Sequence, residues 1–283
     1  MNNIANLLFE TKALKICPEN KPFWYTSGKI GPYFINTHFI YGSEKSAADL
    51  LSFIDEVKVD ILSCPKKILE KTLENYEKDP IYKEVIDTMI EYIKSNLDIN
   101  AIDYISGGER RDWFFSLIIA NKLQKPHITI FKDLNCIYTD FDGNNAKMLD
   151  SLNGAKVLHI ADLITIASSY ERAWIPAIEQ HNGKIEWSLA VVDRLQGGKE
   201  ILASKGVTSY AMINIDKDLF DHALEQKLVS KDQYDLVLEF IKDPDGSMKE
   251  FIKFHPEFIE NALASDEKTA GRAKLCLEKG FYA

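Results

Sequence analysis

The chain contains few cysteines, and none of them are close together. The four cysteines, Cys17, Cys64, Cys136 and Cys276, are scattered over 283 residues with no Cys-x-x-Cys pair. Zinc sites and disulfide frameworks both need closely grouped thiols, so this spacing argues against either. We expect reduced and mostly buried cysteines.

The sequence also lacks basic runs and long apolar segments. It has 34 Lys and Arg against 43 Asp and Glu, a formal net charge of −9, so it lacks the clustered positive charge that a nucleic-acid backbone selects. No stretch reaches about 18 consecutive apolar residues, and the N-terminus has no charged segment followed by an apolar run. We expect a soluble cytoplasmic protein with no nucleic-acid and no membrane partner.

The apolar content is sufficient for a large core. At 46% apolar residues, the chain fits one elaborated domain or two modest ones. Strand-like and helical segments alternate from Ile102 to Ile213, which predicts an α/β fold with a mainly parallel twisted sheet flanked by helices. A helical pair is predicted at residues 66–97, and residues 220–283 have a wholly helical pattern. Within that region Ser230-x-x-Gln233 predicts a capping box at a helix start, and Asp243-Pro244-Asp245-Gly246 predicts a turn. The charged side of the helical pair is either a solvated face or a partner surface.

The segment from 156 to 178 contains the first candidate site. It predicts a buried strand, a turn rich in hydroxyls and then a helix. A helix start offers unpaired N–H groups and the positive end of the helix dipole, so Thr165, Ser168 and Ser169 can complete a phosphate cradle there. Asp162, just before the turn, can accept hydrogen bonds from sugar hydroxyls. The same hydroxyls could instead serve only as a helix cap.

A second candidate site follows the predicted strand Ile102–Ser106. Ligands gather at the carboxyl ends of strands in α/β sheets, where Arg110 and Arg111 offer planar guanidinium groups for phosphate oxygens. The preceding pair Gly107-Gly108 permits a tight turn. The alternative is a surface network of arginine and glutamate side chains. The motif is not a P-loop, since the terminal Gly-Lys-Ser/Thr is missing.

These segments resemble the type I phosphoribosyltransferases, and the flanking chain resembles the orotate phosphoribosyltransferases. The family signature for 5-phosphoribosyl-1-pyrophosphate (PRPP) has two acids and then Thr-small-Gly-Thr/Ser-Ser/Ala. Here Ala161 stands at the first acid and Ala167 at the glycine. The other matching stretches are Thr26-Ser27-Gly28-Lys29, Pro32-Tyr33-Phe34-Ile35-Asn36 and Asp193-Arg194 before a glycine-rich turn. The resemblance covers roughly residues 5–55 and 100–215.

The resemblance implies a domain plan and an activity. The plan is an N-terminal hood (1–60), a helical insertion (61–100), an α/β core (101–215) and a C-terminal helical extension (216–283). The activity is transfer of a phosphoribosyl group from PRPP to orotate or a related pyrimidine base, with release of pyrophosphate. Mg²⁺ would be bound through PRPP rather than directly by the protein, and the family implies a homodimer.

The resemblance also assigns roles to individual residues. The catalytic pair is Lys132 and Asp162; the PRPP and phosphate residues are Arg110, Arg111, Thr165, Ala167, Ser168 and Ser169; the base-binding residues are Thr26, Tyr33, Phe34 and Arg194. Tyr33 and Phe34 could instead be packing residues of a hairpin. Arg194 could instead pair with Asp193 or a helix end.

A loop of about 20 residues is predicted after the strand His127–Phe131, and the resemblance makes it a lid over the site. Few of its residues are basic, and Asp140 and Asp142 would repel pyrophosphate. Together with Ala161 and Ala167, this composition keeps a second hypothesis open, a non-catalytic protein that binds PRPP or a nucleotide. A third is a scaffold that uses the added helices.

Overall fold

The computed structural model describes residues 3–18 and 21–282. The chain divides into two compact units. The sheet unit consists of Thr37–Ile215 with the N-terminal residues up to Lys12, and the helical unit consists of Ala13–Asn36 with the chain from Asp216 onward. Within the described ranges, no helix combines the length and the apolar character needed to cross a lipid bilayer.

The described residues form short strands and helices throughout. The strands are β1 (Leu14–Ile16), β2 (Phe23–Trp24), β3 (Ile30–Gly31), β4 (Tyr33–Ile35), β5 (Tyr104–Gly108), β6 (His127–Ile130), β7 (Cys136–Thr139), β8 (Lys147–Met148), β9 (Lys156–Ile164), β10 (Lys184–Asp193) and β11 (Thr208–Asn214). The helices are α1 (Ile4–Glu10), α2 (Glu44–Val57), α3 (Cys64–Lys78), α4 (Pro80–Asn96), α5 (Trp113–Lys122), α6 (Ile175–Glu179), α7 (Gly198–Ser204), α8 (Lys217–Glu225), α9 (Lys231–Lys242), α10 (Pro244–Phe254), α11 (Glu257–Leu263) and α12 (Glu267–Glu278).

One sheet organises the sheet unit. Its strand order is β11-β10-β9-β5-β6-β7-β8. The five strands from β11 to β6 run parallel to one another, whereas β7 and β8 are antiparallel to their neighbours. Strands buried on both faces read as continuous apolar runs, as β9 and β10 do. The predicted fold class, a mainly parallel sheet flanked by helices, is confirmed.

Helix α5 lies at the centre of the sheet unit. Every residue from Trp113 to Ala120 is buried, because the sequence is apolar around almost the whole helix rather than along one stripe. Helices α3 and α4 contact α5, and the Tyr82 hydroxyl of α4 donates a hydrogen bond to the Phe114 carbonyl oxygen. The predicted helical pair is therefore present, and one side of it packs into the core.

Two local predictions were wrong. The segment after β6 is not one long loop, because β7 pairs with β6 and β8 pairs with β7. Cys136 and Ile137 are buried in that pairing, which gives the strands an apolar anchor. The predicted turn at Asp243-Pro244-Asp245-Gly246 is instead the start of α10. The Asp243 carboxylate caps it by accepting a hydrogen bond from the Gly246 N–H at 2.9 Å, and Pro244 occupies the first helical turn.

The described residues of the helical unit form two small antiparallel strand pairs and five helices. Strand β1 pairs with β4, and β2 pairs with β3. The predicted helical pattern of the C-terminal region is confirmed by α8 to α12. The predicted capping box is also present, with the Ser230 hydroxyl and the Gln233 side chain each bonding the other's backbone N–H.

Candidate active site

A cavity of about 300 Å³ opens at the carboxyl ends of β5, β6 and β9. It is walled by the segments 109–112 and 161–170 together with Lys132 and Trp174. Eight of the predicted site residues line this one cavity: Arg110, Arg111, Lys132, Asp162, Thr165, Ala167, Ser168 and Ser169. Residues separated by up to 59 positions in sequence therefore converge where an α/β sheet binds its ligands.

The hydroxyl-rich turn forms one wall of the cavity and starts a helix. Helical geometry begins at Ser168, so the N–H groups of Ser168 and Ser169 belong to a first turn that has no intrahelical acceptors. Ala167 has φ of +50°, the left-handed region that glycine adopts most easily. This backbone conformation explains why the family signature has glycine at this position, and it shows the turn formed here with alanine.

Gly198, at the start of α7, supports the same turn from behind. Its N–H donates to the Thr165 carbonyl oxygen at 3.1 Å. A Cβ on Gly198 would lie 2.5 Å from Ile164 Cγ2 and 2.7 Å from the Thr165 oxygen, too close for either contact. The glycine therefore allows the backbone at Thr165 to approach α7 closely.

Two aspartates meet at the base of the cavity. Asp112 Oδ1 accepts from the Asp162 backbone N–H at 2.9 Å, and Asp112 Oδ2 accepts from the Gly108 N–H at 3.0 Å. Asp112 thus ties the end of β5 to β9. Burial of the Asp162 carboxyl, and next the nearby Asp112 charge, raise the pKa of Asp162 to about 7, against the opposing effect of Arg111. Near neutral pH the Asp162 carboxyl exchanges between its charged and neutral forms.

The raised pKa of Asp162 predicts a pH dependence of stability. Between the unfolded value of 3.8 and the folded value of about 7, the folded state binds more protons than the unfolded state, so its stability falls as pH rises through that window. Across this pH window, we expect the free energy of unfolding of Asp162→Asn to fall less than that of the wild type, by a difference on the order of 3 kcal/mol. Urea unfolding at several pH values measures it. Parallel curves for the variant and the wild type from pH 4 to pH 8 would contradict the assignment.

A buried histidine lies behind these aspartates, and the sequence did not suggest it. His159 of β9 is fully buried; its Nδ1 is 2.9 Å from Ser106 Oγ, and its Nε2 is 3.5 Å from Asp112 Oδ2. The rings of Tyr170 and Trp174 pack on it. The His159 ring is therefore held by Ser106, Tyr170 and Trp174, and its Nε2, which has no hydrogen-bond partner among the described residues, lies beside Asp112. In the sequence His159 stands inside an apolar strand and looks like a core residue.

An ionic network covers the opposite side of the cavity. Glu109 Oε1 lies 2.8 Å from Lys58 Nζ, and Glu109 Oε2 accepts from the Lys132 backbone N–H at 3.1 Å. Arg110 pairs with Asp55, which also lies 2.8 Å from Lys58. Arg110 therefore takes part in the arginine and carboxylate network that was the alternative prediction, although it also lines the cavity.

The remaining predicted residues lie outside the cavity walls. Arg194 follows β10 in the sheet unit, and its backbone N–H donates to the Ile164 carbonyl oxygen at 2.9 Å. In the helical unit, Thr26 is exposed in the turn between β2 and β3. Tyr33 is 2% exposed and packs edge-on against Phe240 at 5.7 Å, and Phe34 faces Phe23. The ring of Tyr33 therefore packs on α8 and α9 rather than within a hairpin, while Phe34 packs among the short strands.

The described part of the chain has no group of three or more His, Cys, Asp or Glu side chains arranged to hold a metal ion. The four cysteines are free and buried, as the sequence predicts. The charged side chains that line the cavity are three cations, Arg110, Arg111 and Lys132, and three carboxyl groups, Glu109, Asp112 and Asp162.

Comparisons with known proteins bear on the fold and on the sequence as a whole. No family model matches the chain. The orotate phosphoribosyltransferase of Sulfolobus acidocaldarius is 23% identical over 221 residues, which cover 77% of this chain and 88% of the relative. The orotate phosphoribosyltransferase structure from Francisella tularensis has a TM-score of 0.53 at 15% identity and covers 85% of this chain and 98% of that one.

A second solved structure, the UMP synthase of Leishmania donovani, has a TM-score of 0.54 at 14% identity. The match covers 85% of this chain but only 42% of the synthase, so the chain spans less than half the length of that protein. The resemblance predicted from the motifs is thereby confirmed: the chain has the fold of the type I phosphoribosyltransferases, and its sequence is similar to those of orotate phosphoribosyltransferases.

Proposed function

We propose that the cavity binds PRPP through its 5-phosphate and that the protein transfers the phosphoribosyl group to a pyrimidine base such as orotate. The observation that carries this proposal is the convergence of eight predicted residues on one cavity at the carboxyl edge of the sheet. The names of the sequence relatives support the same reaction. The geometry favours the phosphate site most directly, and the transfer reaction is the further step of the proposal.

In the proposed reaction a base nitrogen attacks C1 of the ribose while the bond from C1 to pyrophosphate breaks. The transition state resembles a cation, so the protein needs no covalent nucleophile. It must align two anionic reactants, stabilise the departing charge and exclude water. The phosphate loop, residues 165–169, holds the 5-phosphate by backbone N–H groups and hydroxyls. The Asp162 carboxyl accepts hydrogen bonds from the ribose hydroxyls.

The departing pyrophosphate requires positive charge, and Arg111 and Lys132 line the cavity with exposed cationic side chains. Magnesium would enter as part of the Mg–PRPP substrate, held by substrate oxygens and water. Arg194 is the proposed partner of an acidic base, since a guanidinium binds a carboxylate with two parallel hydrogen bonds. The base-binding roles of Thr26, Tyr33 and Phe34 stay predictions, as does the homodimer.

A second candidate function is binding without turnover. It is favoured by Ala161, which leaves Asp162 as the one acid at the signature pair, and by the engagement of the Lys132 backbone N–H with Glu109. Such a protein would bind a ribose phosphate or a nucleotide and release no pyrophosphate.

One assay separates these functions. Purified protein with Mg²⁺, PRPP and orotate is expected to release pyrophosphate in proportion to the orotate consumed, with no release when the base is omitted. Calorimetric binding of PRPP without turnover would favour the non-catalytic protein. Absence of both turnover and phosphate-ligand binding would contradict both functions.

A further inference from the structure

We infer that Glu109 weakens binding of the diphosphate end of a ligand in this cavity, and not of its phosphomonoester end, because its carboxylate already binds two donors there. The inference rests on the proposed function for the identity of the 5-phosphate end at residues 165–169. Glu109 is then a specificity-determining residue, because its carboxylate competes with pyrophosphate for the same hydrogen-bond donors.

The Glu109 side chain is placed as a bound oxyanion would be. It lies in the cavity wall with 7% of its surface exposed. One carboxylate oxygen accepts from the Lys132 backbone N–H at 3.1 Å, and the other lies 2.8 Å from the Lys58 ammonium group. A backbone N–H beside an ammonium group is the donor pair that a phosphate oxygen would otherwise use. Glu109 therefore occupies two donors beside the cavity, which are closed to a pyrophosphate oxygen while the carboxylate stays in place.

Asp55 pairs with Arg110, a second cationic side chain at the same end of the cavity as Glu109. Asp55 also pairs with Lys58, so neither cation is available without breaking an ion pair. Among the residues the structure describes, Arg111 and Lys132 line the cavity with side chains that have no ion-pair partner. A pyrophosphate group in this cavity therefore meets those two cationic side chains, Arg111 and Lys132, while Arg110 and Lys58 are already paired.

When pyrophosphate binds, either the Glu109 carboxylate moves away or the two negatively charged groups lie close together. A displaced carboxylate gives up a charge-assisted hydrogen bond and an ion pair, and a retained one repels the ligand. Either way the affinity for a diphosphate is lowered, while a phosphomonoester held at the phosphate loop is little affected.

The test is calorimetric titration of the full chain with inorganic pyrophosphate and, separately, with ribose 5-phosphate, in magnesium-free buffer of low ionic strength. We expect Glu109→Gln, which keeps the side-chain shape, to bind pyrophosphate at least about tenfold more tightly than the wild type. Ribose 5-phosphate affinity should change by less than about threefold. The matched control is Glu186→Gln, which removes a carboxylate paired with Lys184 at 2.7 Å and away from the cavity; it should alter neither affinity.

A second variant covers the case in which Glu109→Gln loses cooperative thermal unfolding. Asp55→Asn changes a more exposed side chain, 43% accessible, and releases Arg110; we expect pyrophosphate affinity to rise about fivefold. The inference is overturned if neither variant binds pyrophosphate more tightly than the Glu186→Gln control. Failure of ribose 5-phosphate to bind the wild type would instead contradict the proposed function, while a gain in pyrophosphate affinity would still support the role of Glu109.

Discussion

Ser168→Asp is expected to weaken ribose 5-phosphate binding by about 100-fold or more. Ser168 lines the cavity at the first helical residue after the turn, where a bound phosphate would lie within a few ångströms of the new carboxylate. Two like charges about 4 Å apart near a protein surface repel by roughly 4 kcal/mol before screening by salt. The carboxylate also competes for the N–H groups of the same helix start, because it caps them as an aspartate does at a helix N-terminus.

Two further variants separate charge from the loss of the hydroxyl. Ser168→Ala removes only one donor to a charged group, so binding should weaken by about tenfold. Ser95→Asp introduces the same charge at an exposed position of α4 outside the cavity, and affinity should be unchanged. Isothermal titration with ribose 5-phosphate measures all three. The phosphate-loop assignment fails if Ser168→Asp binds as tightly as Ser95→Asp.

Trp113→Ala is expected to cost about 4 kcal/mol of unfolding free energy. Trp113 is fully buried at the start of α5, its ring packs edge-on against Phe131 at 5.0 Å, and its Nε1 donates to the Gly107 carbonyl oxygen at 3.0 Å. Truncation leaves a cavity and removes this side-chain hydrogen bond at the same place. A loss of this size is a large share of the 5–15 kcal/mol stability typical of a folded domain.

The same chain offers matched controls for this prediction. Trp113→Phe keeps most of the ring and loses the N–H donor, so it should cost about 2 kcal/mol. Trp187 of β10 is only partly buried, and Trp187→Ala should cost about half as much as Trp113→Ala or less. Urea unfolding followed by circular dichroism gives the three values. A larger loss for Trp187→Ala than for Trp113→Ala would show that α5 is not the centre of the core.

The parallel sheet could be predicted from the sequence because its strands are short apolar runs that alternate with helical patterns. The turn after β9 could be placed for a similar reason, since hydroxyls between an apolar strand and a helix have a local meaning. Strands β7 and β8 escaped prediction because their segment contains Asp, Asn and Gly, which signal a loop. Their pairing depends on β6, which the local pattern does not reveal.

The helix start at Asp243 was misread for a different reason. Asp, Pro and Gly are favoured in turns, yet Asp at an N-cap followed by Pro is also a helix start, and only the following apolar residues decide between them. Side-chain networks were beyond local reasoning altogether. Glu109 bonds to Lys58 and to Lys132, at sequence separations of 51 and 23, and nothing in their spacing pairs them.

The base-binding residues were predicted only by matching their positions to the family motif, and their roles stay predictions. Tyr33 matches the family motif, but in this chain its ring is buried against Phe240 and Phe220. A motif match gives the residue type and chain position, whereas its surroundings decide what the side chain can touch. Arg194, by contrast, lies after β10 in the sheet unit, where a base-binding role stays a prediction.

Diffraction from crystals soaked with ribose 5-phosphate tests the central claim most directly. We expect the phosphate within hydrogen-bond distance of the Ser168 and Ser169 N–H groups, about 2.7–3.2 Å, with the ribose hydroxyls facing the Asp162 carboxyl. Density for the ligand at another surface, with the phosphate loop occupied by the protein's own side chains, would contradict the account.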